Sequence, residues 1–193
     1  MILTDSGIDV EPKLFVDPVL CVAAESKGVF QNKEVLMPFV VQRNQFIVSP
    51  YFDQLSFFFN GEWKTPAEDT VSLMIKLADE NVGSLRGHVF EKRLTHLDRE
   101  RLREGVRLCK EILSKFGIAR EEIFLGTLNA GHPGGMLPLT EQNAATFHHR
   151  TLPVNLYVAD SSLLPRSLGN PPILTIMAMA KKISRLCSEK FAA

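Results

Sequence analysis

Between residues 35 and 90 the chain alternates short apolar runs with turn residues: Leu36 to Val41, Phe46 to Val48, Leu55 to Phe59 and Val71 to Leu77. In Leu55/Phe57/Phe59 and in Val71/Leu73/Ile75/Leu77, apolar side chains fall at every second position, the period of a strand with one buried face. Asn60-Gly61 adds a hairpin signal, because both residues tolerate positive φ, and Glu80-Asn81-Val82-Gly83 is a second turn. The pattern predicts an antiparallel sheet. The period then changes at Thr95-His96-Leu97-Asp98, which has capping-box spacing with Asp in place of the usual Glu. Leu102, Val106, Cys109, Leu113 and Phe116 follow on one helical face, and Gly117 supplies a left-handed stop. This helix is expected to cover the sheet, giving an α+β fold.

From Ile123 onward glycine and proline become frequent, and a second helix is predicted with Asn170 as N-cap and Pro171 at its first position. Its stripe is Ile173, Ile176, Met177, Ala180, Ile183 and Cys187. Residues 1–30 read as irregular, with turn chemistry at Asp5-Ser6-Gly7 and Glu11-Pro12. Leu14-Phe15-Val16 and Val19-Leu20-Cys21-Val22 are short apolar runs without a local partner. A domain rarely begins this way.

Composition narrows the function classes. The 193 residues carry 22 Lys and Arg against 22 Asp and Glu, so no net field is available to hold a polyanion, and nucleic acid is not an expected partner. The longest strongly apolar run, Ile173 to Ala180, falls far short of the roughly 20 residues of a membrane span. Met1-Ile2-Leu3-Thr4-Asp5 lacks the basic start of an export signal. Cys21, Cys109 and Cys187 are odd in number and sit among apolar neighbours, which suits reduced core thiols and a cytoplasmic location better than a disulfide frame.

Candidate chemistry lies in the last third. His132 stands in the turn Gly131-His132-Pro133-Gly134-Gly135, where small residues let backbone approach a ligand and leave the imidazole accessible. The helix start at Asn170-Pro171-Pro172 leaves first-turn amides at Ile173 and Leu174 able to face an anionic group. Each signal alone is common: most capped helix starts and most loop histidines carry no chemistry. His148-His149 lacks ligand partners at a recognised metal spacing and reads as a surface turn. His88 and His96 have no partner legible in the sequence, and Asp98, Arg99, Glu100, Arg101 and Arg103 read as a solvated helix face.

The order of these segments adds what each lacks. A His-Pro-Gly-Gly turn at 132–135, Asn155-Leu156-Tyr157-Val158-Ala159-Asp160-Ser161-Ser162, and an Asn-Pro start to a Thr-Ile-Met-Ala-Met-Ala helix together resemble the C-terminal region of the glucose-methanol-choline (GMC) oxidoreductases, with a cholesterol-oxidase-like pattern. The resemblance is specific across about 125–187, while Asp5-Ser6-Gly7-Ile8 and residues 31–120 are similar in layout only. It implies an FAD-dependent enzyme oxidising a small-molecule alcohol, residues 1–30 leaving the FAD domain, 31–122 forming the substrate domain, and 123–193 completing the FAD domain. His132 then matches the active-site histidine and Asn170 its partner in the catalytic pair. Asp160 and Ser161 match a backbone contact to FAD, and Asn170, Pro171, Pro172 and Ile173 match the helix mouth facing the flavin.

Two departures accompany the match. Gly135-Met136-Leu137 continues the histidine turn where members of the family commonly have Gly-Thr or Gly-Gly-Cys. No Gly-x-Gly-x-x-Gly is present, so the adenosine and pyrophosphate site is missing and the chain is expected to be inactive alone. It would need an N-terminal FAD-binding half or a second chain. The alternative is a non-catalytic module or degenerate remnant that keeps the fold and binds a partner, or a second copy of itself, through exposed apolar surface.

Overall fold

The computed structural model describes residues 2–86 and 89–191. In chain order the elements are α1 (Ile2–Asp5), β1 (Pro18–Glu25), β2 (Val41–Arg43), β3 (Phe46–Pro50), α2 (Gln54–Phe59), β4 (Thr70–Leu77), β5 (Ser84–Arg86), β6 (Val89–Glu91), α3 (His96–Lys115), β7 (Phe124–Leu125), β8 (Asn129–Ala130) and α4 (Ile173–Phe191), with short 3-10 turns between. The fold is α+β with antiparallel sheets, as the periodicities predict. It divides into two compact units, one of residues 18–78 and 95–131, the other of 1–17, 79–94 and 132–193.

In the first of these, the sheet runs β2-β3-β4-β1-β7, with β8 also on β1. Val22 opposes Leu73 and Leu20 opposes Ile75 across β1 and β4, so Val22, Ala24, Leu73, Ile75 and Leu77 share one face. That face packs with Phe46, Val48, Cys109, Leu113 and Ile118 into one core, each large side chain contributing about 1.5–3 kcal/mol by burial. α3 is the expected cover. Thr95 Oγ1 accepts from Asp98 N–H at 3.1 Å and Asp98 Oδ2 accepts from Thr95 N–H at 2.9 Å, closing the capping box. Gly117, at φ 99°, ends the helix in the left-handed region. Burial pushes the Cys109 thiol up to about 12. The Cys21 thiol is also raised, first by burial and then by the Asp53 carboxylate.

Several sequence expectations are corrected here. Val19 to Val22 belongs to β1, whose long-range partner β4 makes it a central strand. Leu55 to Phe59 is helical: Asp53 caps α2 by accepting from the Ser56 N–H at 3.1 Å, which outweighs an alternation created by three adjacent phenylalanines. Asn60-Gly61 therefore follows a helix and makes no hairpin. Leu36, Phe39 and Val40 lie exposed before β2, so only Val41 of that run enters a strand. Phe116 is exposed at the helix end. Asp98 is buried at the cap, with Arg101 Nη1 3.8 Å away, and does not belong to a solvated face.

The second unit has its own core of Leu137, Leu152, Leu163 and Ile183, flanked by Ile8, Phe147, Tyr157, Met179 and Cys187. β5 and β6 pair antiparallel in a separate two-stranded sheet there, and Leu14 and Phe15 bridge to Gly83 and Gly134. α4 begins at Ile173, later than predicted, because the Pro172 carbonyl takes the first intrahelical bond, from the Ile176 N–H at 2.9 Å. Pro172 thus stands where Asn170 was expected.

Candidate functional site

All the candidate residues lie in the second unit. The turn at 132–135 is fixed by backbone pairing with the 14–16 segment: Phe15 and Gly134 exchange N–H to carbonyl bonds at 3.1 Å, and His132 N–H donates to the Val16 carbonyl at 3.3 Å. Gly134 is required by contact, since a Cβ there would stand 2.5 Å from Phe15 Cζ and also collide with the Ser161 carbonyl oxygen. The 160–163 segment runs along this turn. Ser161 Oγ donates to the Pro133 carbonyl at 2.5 Å, Gly135 N–H donates to the Ser161 carbonyl at 3.4 Å, and Leu137 N–H to that of Ser162 at 2.8 Å. Asp160 caps the 3-10 turn of 161–163 by accepting from Ser162 N–H at 2.8 Å.

Asp17 is the hub between this turn and the loop leading to Asn170. It is 1% exposed, its Oδ1 accepts from Ser167 Oγ, and its Oδ2 lies 3.7 Å from His132 Nδ1. Ser167 Oγ in turn accepts from Gly169 N–H at 3.3 Å, next to Asn170. One carboxylate therefore touches both the His132 imidazole and the bend that carries Asn170. Asn170 itself is exposed, and the His132 side chain is 29% exposed. Pro171 and Ile173 are exposed and Pro172 buried.

A buried ion pair holds the hub. Lys92 Nζ lies 2.7 Å from Asp79 Oδ2, whose side chain is fully buried. Asp79 also accepts from the backbone N–H of Val16 at 3.1 Å and of Asp17 at 2.9 Å. Burial nonetheless pushes the Asp79 carboxyl above its ordinary value, against the opposing pull of Lys92 and the two N–H groups. Asp17, Asp79, Lys92 and Ser167 were not singled out by the sequence. The one available signal was an acidic residue at 17 isolated between two apolar runs.

The remaining histidines divide. His149 is buried, correcting the surface-turn reading, and its Nδ1 accepts from the Thr151 N–H at 3.4 Å and lies 2.9 Å from Thr151 Oγ1. Burial lowers its pKa, partly offset by Glu11. His148 stacks edge-on against Tyr157 at 4.9 Å beside a surface cavity of about 340 Å³ that Lys190 also lines. His96 Nδ1 lies 3.6 Å from Glu100 in an exposed pair. His88 falls outside the described residues. Among the described residues no group of His, Cys, Asp and Glu could hold a metal ion, and no helix is long and apolar enough to cross a membrane.

No family model matches this chain. It is 30% identical over 179 residues to an uncharacterized protein of Methanocaldococcus jannaschii, spanning 92% of this chain and 46% of that protein. It is also 25% identical over 162 residues to a long-chain-alcohol oxidase of Arabidopsis thaliana, spanning 62% of this chain and 21% of the oxidase. The chain thus spans about half the length of the first relative and about a fifth of the second.

Proposed function

We propose that the chain is the C-terminal portion of a GMC-type oxidoreductase acting on the CH–OH group of an alcohol, with 1–30 leaving the FAD domain, 31–122 serving as substrate domain and 123–193 closing the FAD domain. The similarity to a long-chain-alcohol oxidase supports the reaction class. The observation that carries the reading is the gathering of the motif residues: Ser161 bonds the His132 turn, and Asp17 touches both His132 and the bend before Asn170.

In this reading His132 accepts the substrate hydroxyl proton, a task suited to an imidazole near neutral pH. The Asn170 carboxamide hydrogen-bonds the substrate oxygen and orients it without adding charge. The donor set also fits FAD, which when bound supplies the hydride acceptor. Ile173, Leu174 and Thr175 are exposed in the first turn of α4, where backbone N–H groups have no intrahelical acceptor and the helix dipole favours negative charge. Pro171 and Pro172 lead into that turn, and Asp160 and Ser161 offer backbone beside the histidine. The pyrophosphate would be held by a Gly-x-Gly-x-x-Gly half outside these 193 residues, so the chain alone is expected to bind FAD poorly.

The test is to join this chain to such a half, by fusion or co-expression, and add an alcohol anaerobically. Flavin bleaching that His132→Ala abolishes is the expected result; bleaching unchanged in the variant removes the assignment. A second reading, a non-catalytic partner-binding module, is favoured by one observation. Ile173, Leu174 and Met177 are 59%, 79% and 61% exposed on a helix half that is apolar nearly all round. Capture of the complementing half without any bleaching by alcohols would select it.

A further inference from the structure

We propose that Asp17 is the positioning residue of His132, fixing which imidazole nitrogen carries the proton so that Nε2 is left as the base. The inference rests on the role given to His132 above and deepens it.

The backbone at Asp17 lies in a conformation that Asp tolerates but that the proline after it disfavours. Its φ is 52°, in the left-handed region that side chains other than glycine and Asn or Asp seldom adopt, and Pro18 follows, which further restricts it. Such positions persist where their surroundings over-determine them, and they concentrate at functional sites. Here the surroundings are the Asp79 carboxylate, which receives the N–H groups of Val16 and Asp17, and the Lys92 ammonium that pins it. These bonds hold Asp17 through its backbone N–H, and its carboxylate meets Ser167 and His132.

That carboxylate is aimed. Oδ1 is taken by the Ser167 hydroxyl, which stops the group from rotating, and Oδ2 faces His132 Nδ1 at 3.7 Å. The separation exceeds hydrogen-bond reach, so the coupling is coulombic. A fixed negative charge on the Nδ1 side favours the tautomer with its N–H there, because the state of one ring nitrogen is set by what the other faces. Nε2 then carries the lone pair that takes the hydroxyl proton. The imidazolium formed by that transfer has its Nδ1–H edge toward the same carboxylate. The proton moves from the substrate oxygen to Nε2, and Asp17 neither gains nor loses one.

The experiment is ¹⁵N NMR of the imidazoles in the 193-residue chain. Wild-type His132 should show a protonated Nδ1 and an unprotonated Nε2 at a pH where the ring is neutral. Asp17→Asn is nearly isosteric and keeps the backbone bonds to Asp79, so His149 should report an intact unit while the His132 tautomer becomes mixed. Ser167→Ala retains the charge and should preserve the tautomer. In the flavin-loaded assembly Asp17→Asn should lower kcat tenfold or more with little change in KM. A wild-type His132 protonated on Nε2, or a tautomer indifferent to Asp17→Asn with His149 unmoved, overturns the proposal. Either outcome is separate from the His132→Ala bleaching test, which addresses only whether His132 acts as the base.

Discussion

Replacing Lys92 by Met removes the cation from a pair in which one carboxylate has no access to water. Lys92 is 11% exposed along its side chain and Asp79 0%, so Met can fill the volume of the stem but leaves Asp79 with only the N–H groups of Val16 and Asp17. Breaking a buried pair from one side typically costs about 3–5 kcal/mol. The structure sets a ceiling on that figure, because Asp79 can take up a proton instead of staying charged. Protonating a carboxyl of ordinary pKa 3.8 at pH 7 costs about 4 kcal/mol, and at pH 4.5 only about 1. The Asp79 carboxyl is already held above its unfolded value, and the substitution raises it further. The folded variant therefore binds its proton before the unfolded chain does, and its stability relative to wild type improves as pH falls toward 3.8 and worsens as pH rises. Urea unfolding followed by circular dichroism should show a deficit of about 3–4 kcal/mol at pH 7 that shrinks to about 1 kcal/mol at pH 4.5. Hydrogen exchange at the Val16 and Asp17 amides should accelerate in parallel. An equal deficit at both pH values would refute the reasoning, since packing loss alone carries no proton.

Two other substitutions test the same unit. Gly134→Ala forces a Cβ against the Phe15 ring and the Ser161 carbonyl, an overpacking cost of about 1–3 kcal/mol that thermal unfolding should register; an unchanged midpoint would mean the turn has room it does not show. His149 is kept below 6.5 by burial, so as pH falls through 6.5 the unfolded chain takes a proton that the folded chain refuses. Stability should fall below that pH by up to about 1.4 kcal/mol per unit. His149→Gln should flatten this slope between pH 7.5 and 5.5, and a slope that persists in the variant assigns it to another group.

How far the fold was legible depended on how far its causes reach along the chain. α3 could be read because its capping box, apolar face and terminal glycine all lie within Thr95 to Gly117. β4 could be read because Val71 to Leu77 alternates by itself. β1 could not, because its buried character comes from pairing Leu20 with Ile75 and Val22 with Leu73, contacts that no window around residue 20 contains. α2 was misread because Phe57, Phe58 and Phe59 satisfy any period, leaving the decision to the Asp53 cap. The candidate site divides in the same way. The glycines beside His132 announced a close approach, but that Ser161 and Phe15 do the approaching is a fact of packing. Asp17 carried no motif, since its meaning lies in what Asp79 does to its backbone.

The N-terminal half of α4 connects the site to the length of the chain. Its second half is anchored in the core through Ile183, while Ile173, Leu174 and Met177 lie open over a stretch interrupted only by Thr175. An apolar surface of this kind ordinarily lies against something. The dipole of the same helix gains little in water and much more where solvent is excluded, because charge interactions strengthen as the local dielectric falls. On the proposed reading, one covering partner therefore does two things at once: it buries those apolar side chains, and it dries the helix mouth at which Asn170 stands. Activity and apolar burial should then appear together, so that Leu174→Asp, which touches neither His132 nor Asp17, weakens association with the FAD-binding half and lowers turnover in the same proportion.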